Sequence, residues 1–142
     1  MQPESPHLIP ELDVSDLAKA VGLYIDLFGF ELLFERAEEG FAYLNCEGAH
    51  LMLQQAEGPG RRFRTAPLDP PFGRGINLQI RVANVATRYA RAVAMGYSML
   101  IPLEERWYIQ DGRERGNRQF VVADHDGYLL RFYTDLGLRL LP

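Results

Sequence analysis

Two stretches of the chain change hydrophobic period at matching points. Over LIPELDVSDLAKAVGLYIDLFGF, residues 8–30, apolar residues alternate at Leu8, Pro10, Leu12 and Val14, then recur at Leu17, Ala18, Val21, Tyr24, Ile25 and Phe28. Over INLQIRVANVATRYARAVAMGYS, residues 76–98, the alternation runs through Ile76, Leu78, Ile80 and Val82 and gives way to Val85, Tyr89, Ala92 and Val93. Alternation marks a strand with one buried face, and spacings of three and four lay one apolar stripe along a helix. Each stretch therefore predicts a strand followed by a helix. Ser15 or Asp13 is the expected N-cap of the first helix and Asn84 of the second, and Gly29 and Gly96 supply the left-handed conformation that ends them.

Shorter apolar runs follow each helix: ELLFE, FAYLNC and AHLMLQ in the first half, then SMLIP, RWYIQ, RQFVVA and YLLRFY in the second. The turns EEG, CEG, QDG and DHDG carry the glycine that hairpins favour. The expected fold class is α+β, a βαβββ module built twice, each a curved mixed sheet with one helix on its outer face. The first module is expected over residues 1–55 and the second over 76–142, joined by a linker at 56–75 rich in proline and glycine, all within one compact domain. The RRFR of the linker reads as solvated charge, with an anion grip as the alternative.

Composition narrows the function classes. The 142 residues carry a net charge of −4, without the basic balance that a nucleic-acid binder uses against phosphates. A single cysteine, Cys46, rules out an intrachain disulfide and a multi-cysteine zinc site. MQPESPHLIP has no basic or apolar export region, and no apolar run approaches the roughly 20 residues of a membrane span. The expectation is a cytoplasmic protein with no nucleic-acid or membrane partner. There is no GxSxG elbow or phosphate-binding glycine loop, and Cys46 in YLNCEG has no basic neighbour to activate it, so no catalytic residue is assigned.

The duplicated βαβββ grammar, with DVSDLAKAVGLYIDLFGF near the start and DHDGYLLRF near the end, resembles the vicinal oxygen chelate superfamily, which includes glyoxalases, extradiol dioxygenases and bleomycin resistance proteins. The resemblance covers residues 8–134, and the IPEL opening is similar to the bleomycin resistance branch. It implies modules that curl into a concave ligand cup and a homodimer with crevices at its interface. In the family's enzymes it also implies a divalent metal held by His, Glu or Gln of the first and last strands. Those four ligand positions fall on Ile9, Met52, Asn77 and Arg131. Ile9 and Asn77 stand five before Val14 and Val82, and Met52 and Arg131 stand four after Gly48 and Gly127. Isoleucine has no donor, a thioether prefers soft metals, a lone amide is weak, and a guanidinium repels a dication. Neither a metal nor any other cofactor is expected.

Extending the alternation sends Ile9, Glu11, Asp13, His50, Met52 and Gln54 into the cup from the first module, and Asn77, Gln79, Arg81, Leu129, Arg131 and Tyr133 from the second. The candidate ligand-binding set is Glu11, Met52, Gln54, Asn77, Gln79, Trp107, Arg118, Arg131 and Tyr133. Phe41, Tyr108 and Phe120 are further candidates for stacking surface beside Trp107. Arg131 has two compatible readings, ligand contact or an internal ion pair with Glu11. The function expected by resemblance is non-enzymatic sequestration of a small molecule, with a bleomycin-type glycopeptide antibiotic as one candidate. The alternative is a metal-dependent glyoxalase- or dioxygenase-type enzyme with a displaced site. It would draw on His7 and His50, each two residues, roughly 7 Å, from a ligand position.

Overall fold

A computed structural model describes residues 4–142. The first module consists of β1 (Glu11–Val14), α1 (Leu17–Asp26), β2 (Glu31–Arg36), β3 (Phe41–Cys46) and β4 (Ala49–Gln55). The second consists of β5 (Asn77–Arg81), α2 (Val85–Ala94), β6 (Ile101–Gln110), β7 (Arg113–Ala123) and β8 (Leu129–Leu140). Their sheets have the same plan, with strand orders β1-β4-β3-β2 and β5-β8-β7-β6. In each sheet the first strand pairs parallel with the last and the other neighbours are antiparallel. The α+β architecture of two βαβββ modules is thus present.

The helix-bearing faces of both sheets share one core. Leu12, Val14, Leu51 and Leu53 pack with Ala20 and Tyr24 of α1, and Ile80, Phe120, Val122, Leu130 and Phe132 pack with Val85 and Ala92 of α2. Aromatic rings join the halves: Phe28 and Phe30 lie 5.8 and 6.5 Å from Phe132, and Phe28 lies 6.2 Å from Tyr97. Truncating a ring this buried costs about 3–5 kcal/mol. Polar ties reinforce the junction. Tyr128 Oη donates to the Asp13 carbonyl at 2.9 Å, and Asp126 Oδ2 accepts from the Ser15 N–H at 3.0 Å.

The helix ends show one difference from expectation. Asn84 caps α2 by accepting from the Thr87 N–H, but the N-cap of α1 is Asp16, whose Oδ1 accepts from the Lys19 N–H at 3.1 Å. Ser15 and Asp13 lie outside the helix, and the Ser15 N–H serves the junction with Asp126 instead. Gly29 and Gly96 have φ of 75° and 78°, a left-handed conformation with no steric penalty for glycine.

Residues 98–100 of SMLIP do not form a strand of their own. β6 starts at Ile101 and runs to Gln110 with an irregularity between Ile101 and Glu104. β8 continues past Tyr133 to Leu140, so β6, β7 and β8 extend together as a three-stranded arm. The β6–β7 hairpin closes at Asp111 and Gly112, with φ of 50° and 74°, the doubly positive geometry that matches strand twist.

The segment between the modules is held by its own arginines. Arg62 donates to the Gln55 carbonyl through Nε and Nη2, at 3.0 and 2.7 Å. Arg64 donates to the Ala56 carbonyl and pairs with Asp13 at 3.2 Å. These contacts correct the reading of RRFR as solvated charge, because two of its three arginines are used to pin the chain to the first module.

Candidate functional site

The strand faces opposite the shared core hold most of the predicted candidate residues. On the first module the ladder places Glu11 beside Met52 and Asp13 beside Gln54, with Phe41 and Tyr43 opposite Gln54 and Met52 on β3. Phe34 stacks on Tyr43 at 4.8 Å, and the Arg36 guanidinium lies 4.0 Å from the Phe41 ring centroid. On the second module Gln79 pairs with Arg131 and Arg81 with Tyr133, and β7 adds Val121 and Gln119 at the same two levels. Asn77 precedes Gln79 by two residues on the same face, diagonal to Arg131.

Seven of the nine candidate residues therefore fall on the concave faces: Glu11, Met52 and Gln54 on one, Asn77, Gln79, Arg131 and Tyr133 on the other. Gln54 is covered. It is buried, and its Nε2 donates to the Arg61 carbonyl at 3.1 Å, so it anchors the inter-module segment. Glu11 is exposed as a residue, but partial burial of its carboxyl, together with the neighbouring Asp13, raises its pKa above the usual value despite Arg36 and Arg62.

The other two candidates lie on the outer face. Arg118 has the strand phase of Phe120 and Val122, which are buried on the helix side, and it pairs with Glu105 across the ladder. Trp107 lies over Gly116, donates from Nε1 to Glu105 Oε2 at 3.0 Å, and has the Arg139 guanidinium 3.8 Å from its ring centroid. Of the stacking candidates, Phe120 belongs to the core, whereas Phe41 and Tyr108 are on the concave faces.

Two adjoining cavities of about 460 and 590 Å3 lie against the second module's concave face and share Tyr108 and Arg131. Glu104, Arg106, Gln119 and Val121 line one, and Arg81, Arg115, Asn117, Tyr133 and Asp135 line the other. Neither has a wall from the first module. Arg106, Arg115, Asn117 and Gln119 line these cavities and are the candidates that sequence reasoning missed. The phase of β7 was available, because residues 117, 119 and 121 alternate with Phe120 and Val122.

Arg131 does not pair with Glu11. Its Nη2 donates to Gln79 Oε1 at 2.5 Å, within its own module, and it has no carboxylate partner among the described residues. The expected ion pair is absent: the Arg131 guanidinium is turned to Gln79 of its own sheet, while Glu11 stands on the other sheet beside Met52. The histidines of the alternative site are no closer to a metal geometry. His50 Nδ1 is 2.7 Å from Tyr43 Oη and His7 is exposed. Among the described residues no three His, Cys, Asp or Glu side chains converge.

A divalent metal does not fit the donor set at Ile9, Met52, Asn77 and Arg131, the positions to which the resemblance assigns its ligands. Met52 supplies a soft thioether, Asn77 a weak amide and Arg131 a fixed cation, with only Glu11 nearby as a hard anionic donor. Cys46 is no substitute, since burial pushes its thiol up to about 11.

The comparisons with known proteins agree with this architecture. A family model for the glyoxalase/bleomycin resistance protein/dioxygenase superfamily matches residues 6–132. The chain belongs to this superfamily. Bleomycin resistance proteins of Geobacillus stearothermophilus and Staphylococcus aureus are each 30% identical to it over 139 residues, covering 90% of this chain and 96% of theirs. Among solved structures, TioX from Micromonospora sp. ML1 superposes with a TM-score of 0.73 at 24% identity, covering 93% of this chain and 100% of that one. The virulence protein STM3117 from Salmonella typhimurium gives 0.68 at 16% identity, over 94% and 97%. These superpositions show a shared fold. Among the described residues, no helix is long and apolar enough to cross a membrane.

Proposed function

We propose that this superfamily member is a small-molecule-binding protein that sequesters its ligand without transforming it, in the manner of a bleomycin resistance protein. The observation that carries the reading is Arg131. The resemblance assigns a metal-ligand position of the superfamily's enzymes to Arg131, and its guanidinium, which donates to Gln79, supports the reading that no metal sits there. The face that would support Lewis-acid chemistry instead offers hydrogen-bond donors and aromatic edges, which suit binding. The 30% identity to bleomycin resistance proteins supports the same reading.

In this reading the cup is completed by a second copy. The two adjoining cavities that share Tyr108 and Arg131 are walled by the second module alone, and a homodimer would supply the opposite wall from the partner's first module. Withdrawal of ligand by mass action then requires only tight binding. The reading places the protein in the cytoplasm, where its single buried thiol, Cys46, stays reduced.

Calorimetric titration with bleomycin, with mass spectrometry of the recovered ligand, tests this. Saturable binding with unaltered ligand and a dimer in sedimentation are the expected results. Turnover, or no binding by a folded dimer, would reject the reading.

A further inference from the structure

We propose that the concave face of the second module recognises an oxyanion flanked by hydrogen-bond donors, which rests on the binding reading above and names the chemistry of one wall of the cup. Three buried polar atoms have no hydrogen-bond partner among the described residues: Asn117 Oδ1, Gln119 Oε1 and Arg131 Nε. All three side chains line the two adjoining cavities. Asn117 and Gln119 are only 5% and 2% exposed, so their carbonyls are shielded from bulk water, and buried acceptors are seldom left unpaired without a functional reason.

The charges on this wall select the sign of the ligand. Arg81, Arg106, Arg115 and Arg131 line the cavities together with two carboxylates, Glu104 and Asp135, a surplus of two positive charges. Arg115 is committed to Asp135 at 2.9 Å, whereas Arg81, Arg106 and Arg131 make no ion pair among the described residues. Gln79 fixes the Arg131 guanidinium through Nη2 and leaves Nε as a preset donor. Charge-assisted bonds from guanidinium to carboxylate or phosphate are the strong ones.

The two orphan carbonyls require the opposite partner, an N–H or O–H on the ligand. Asn117 and Gln119 are two residues apart on β7, so they accept at points roughly 7 Å apart along the strand. The ligand portion is therefore a compact acid that carries amide or hydroxyl groups, with Tyr108 and Tyr133 supplying apolar contact beside it. A cationic portion would be opposed on this wall.

Hippurate, which joins a carboxylate to an amide N–H and a ring, is the test ligand. Its neutral methyl ester serves as the charge control and phenyl phosphate as the second anion. Calorimetry of the full chain is run on wild type, Arg131→Gln and the outer-face control Arg118→Gln, and the Nε resonance of Arg131 is followed by NMR in the wild type. The expected result is saturable hippurate binding that moves this resonance. The ester and Arg131→Gln each weaken binding about tenfold or more, and Arg118→Gln changes it less than about twofold. The stronger of hippurate and phenyl phosphate distinguishes a carboxylate from a phosphate source.

Equal binding of acid and ester, or an unmoved Arg131 Nε resonance with both anions, would overturn the subsite even if Arg131→Gln failed to fold. Bleomycin titrated into the same preparation separates the two proposals. Bleomycin bound with neither anion bound sinks the subsite and leaves the binding reading standing.

Discussion

The phenol of Tyr24, on the helix of the first module, donates a 2.6 Å hydrogen bond to Oδ2 of Asp124 in the last hairpin of the second. Both side chains are buried, and Asp124 Oδ1 also accepts from the Asp126 and Tyr128 N–H groups at 2.9 Å. One carboxylate thus shapes the β7–β8 turn and ties the modules together. Removing the phenol leaves a buried carboxylate short of a donor. Tyr24→Phe is expected to lower the unfolding free energy by about 1.5–3 kcal/mol in urea denaturation, and Asp124→Ala by more.

The same pair has a pH signature. Burial raises the Asp124 carboxyl above its usual range, and the Tyr24, Tyr128 and Asp126 donors offset this only in part. A raised folded-state value contributes stability that is present below the ordinary value of 3.8 and is lost as pH rises through the folded value. Tyr24→Phe removes a lowering influence, so the Asp124 titration followed by carboxyl-carbon NMR should move further up. A downward movement would contradict the arrangement.

Glu47 has the opposite sign. Its carboxyl lies below the usual value because, against the penalty of burial, it accepts from Arg88 Nη2 at 2.8 Å and the Ala83 N–H at 2.9 Å. Arg88, on α2, also donates to the Phe28 carbonyl, so this ion pair links the turn after β3 to α2 and to the segment that follows α1. A depressed value gives stability that is present above the ordinary 4.5 and is lost as pH falls through the folded value. Glu47→Gln should therefore lower the melting temperature at neutral pH, with the difference from wild type shrinking as pH falls below about 4.5, so that the acid limb of the profile is flattened.

Trp107 is predicted to report on the arm and to stay silent toward ligand. A Cβ built on Gly116 would lie 2.6 Å from the indole ring, so Gly116→Ala must displace it. The variant should show a red-shifted emission and a loss of about 1–3 kcal/mol from overpacking, whereas ligand titration of the wild type should leave the emission of this single tryptophan unchanged.

The inter-module segment can be tested by proteolysis. Phe63 is 71% exposed, but its neighbours Arg62 and Arg64 pin the backbone. Arg62→Ala should speed chymotrypsin cleavage after Phe63, with little effect on global unfolding.

Much of this arrangement was legible in the sequence because period two and period 3.6 are imposed by backbone geometry. Leu12, Val14, Leu51, Leu53, Ile80, Leu130 and Phe132 face the helices as the alternation requires, and Arg131 faces the other way. The outer-face position of Arg118 was available from its shared phase with Phe120 and Val122. Trp107 was not, since its apolar run WYI has no alternation and the irregularity after Ile101 resets the phase. Nor could local sequence show that Gln54 is covered, because that depends on where residues 56–64 lie in three dimensions. The α1 cap was ambiguous because Asp13, Ser15 and Asp16 are all competent cap residues, and only the helix start decides among them.

The central claim is that a guanidinium occupies the position that the superfamily's enzymes give to a metal ligand. Elemental analysis of wild-type protein equilibrated with zinc, nickel, manganese and ferrous ions and then desalted tests it most directly. The account predicts retention far below one ion per chain for every metal; one tightly held ion per chain, lost on mutation of Met52, Asn77 or Glu11, would contradict it.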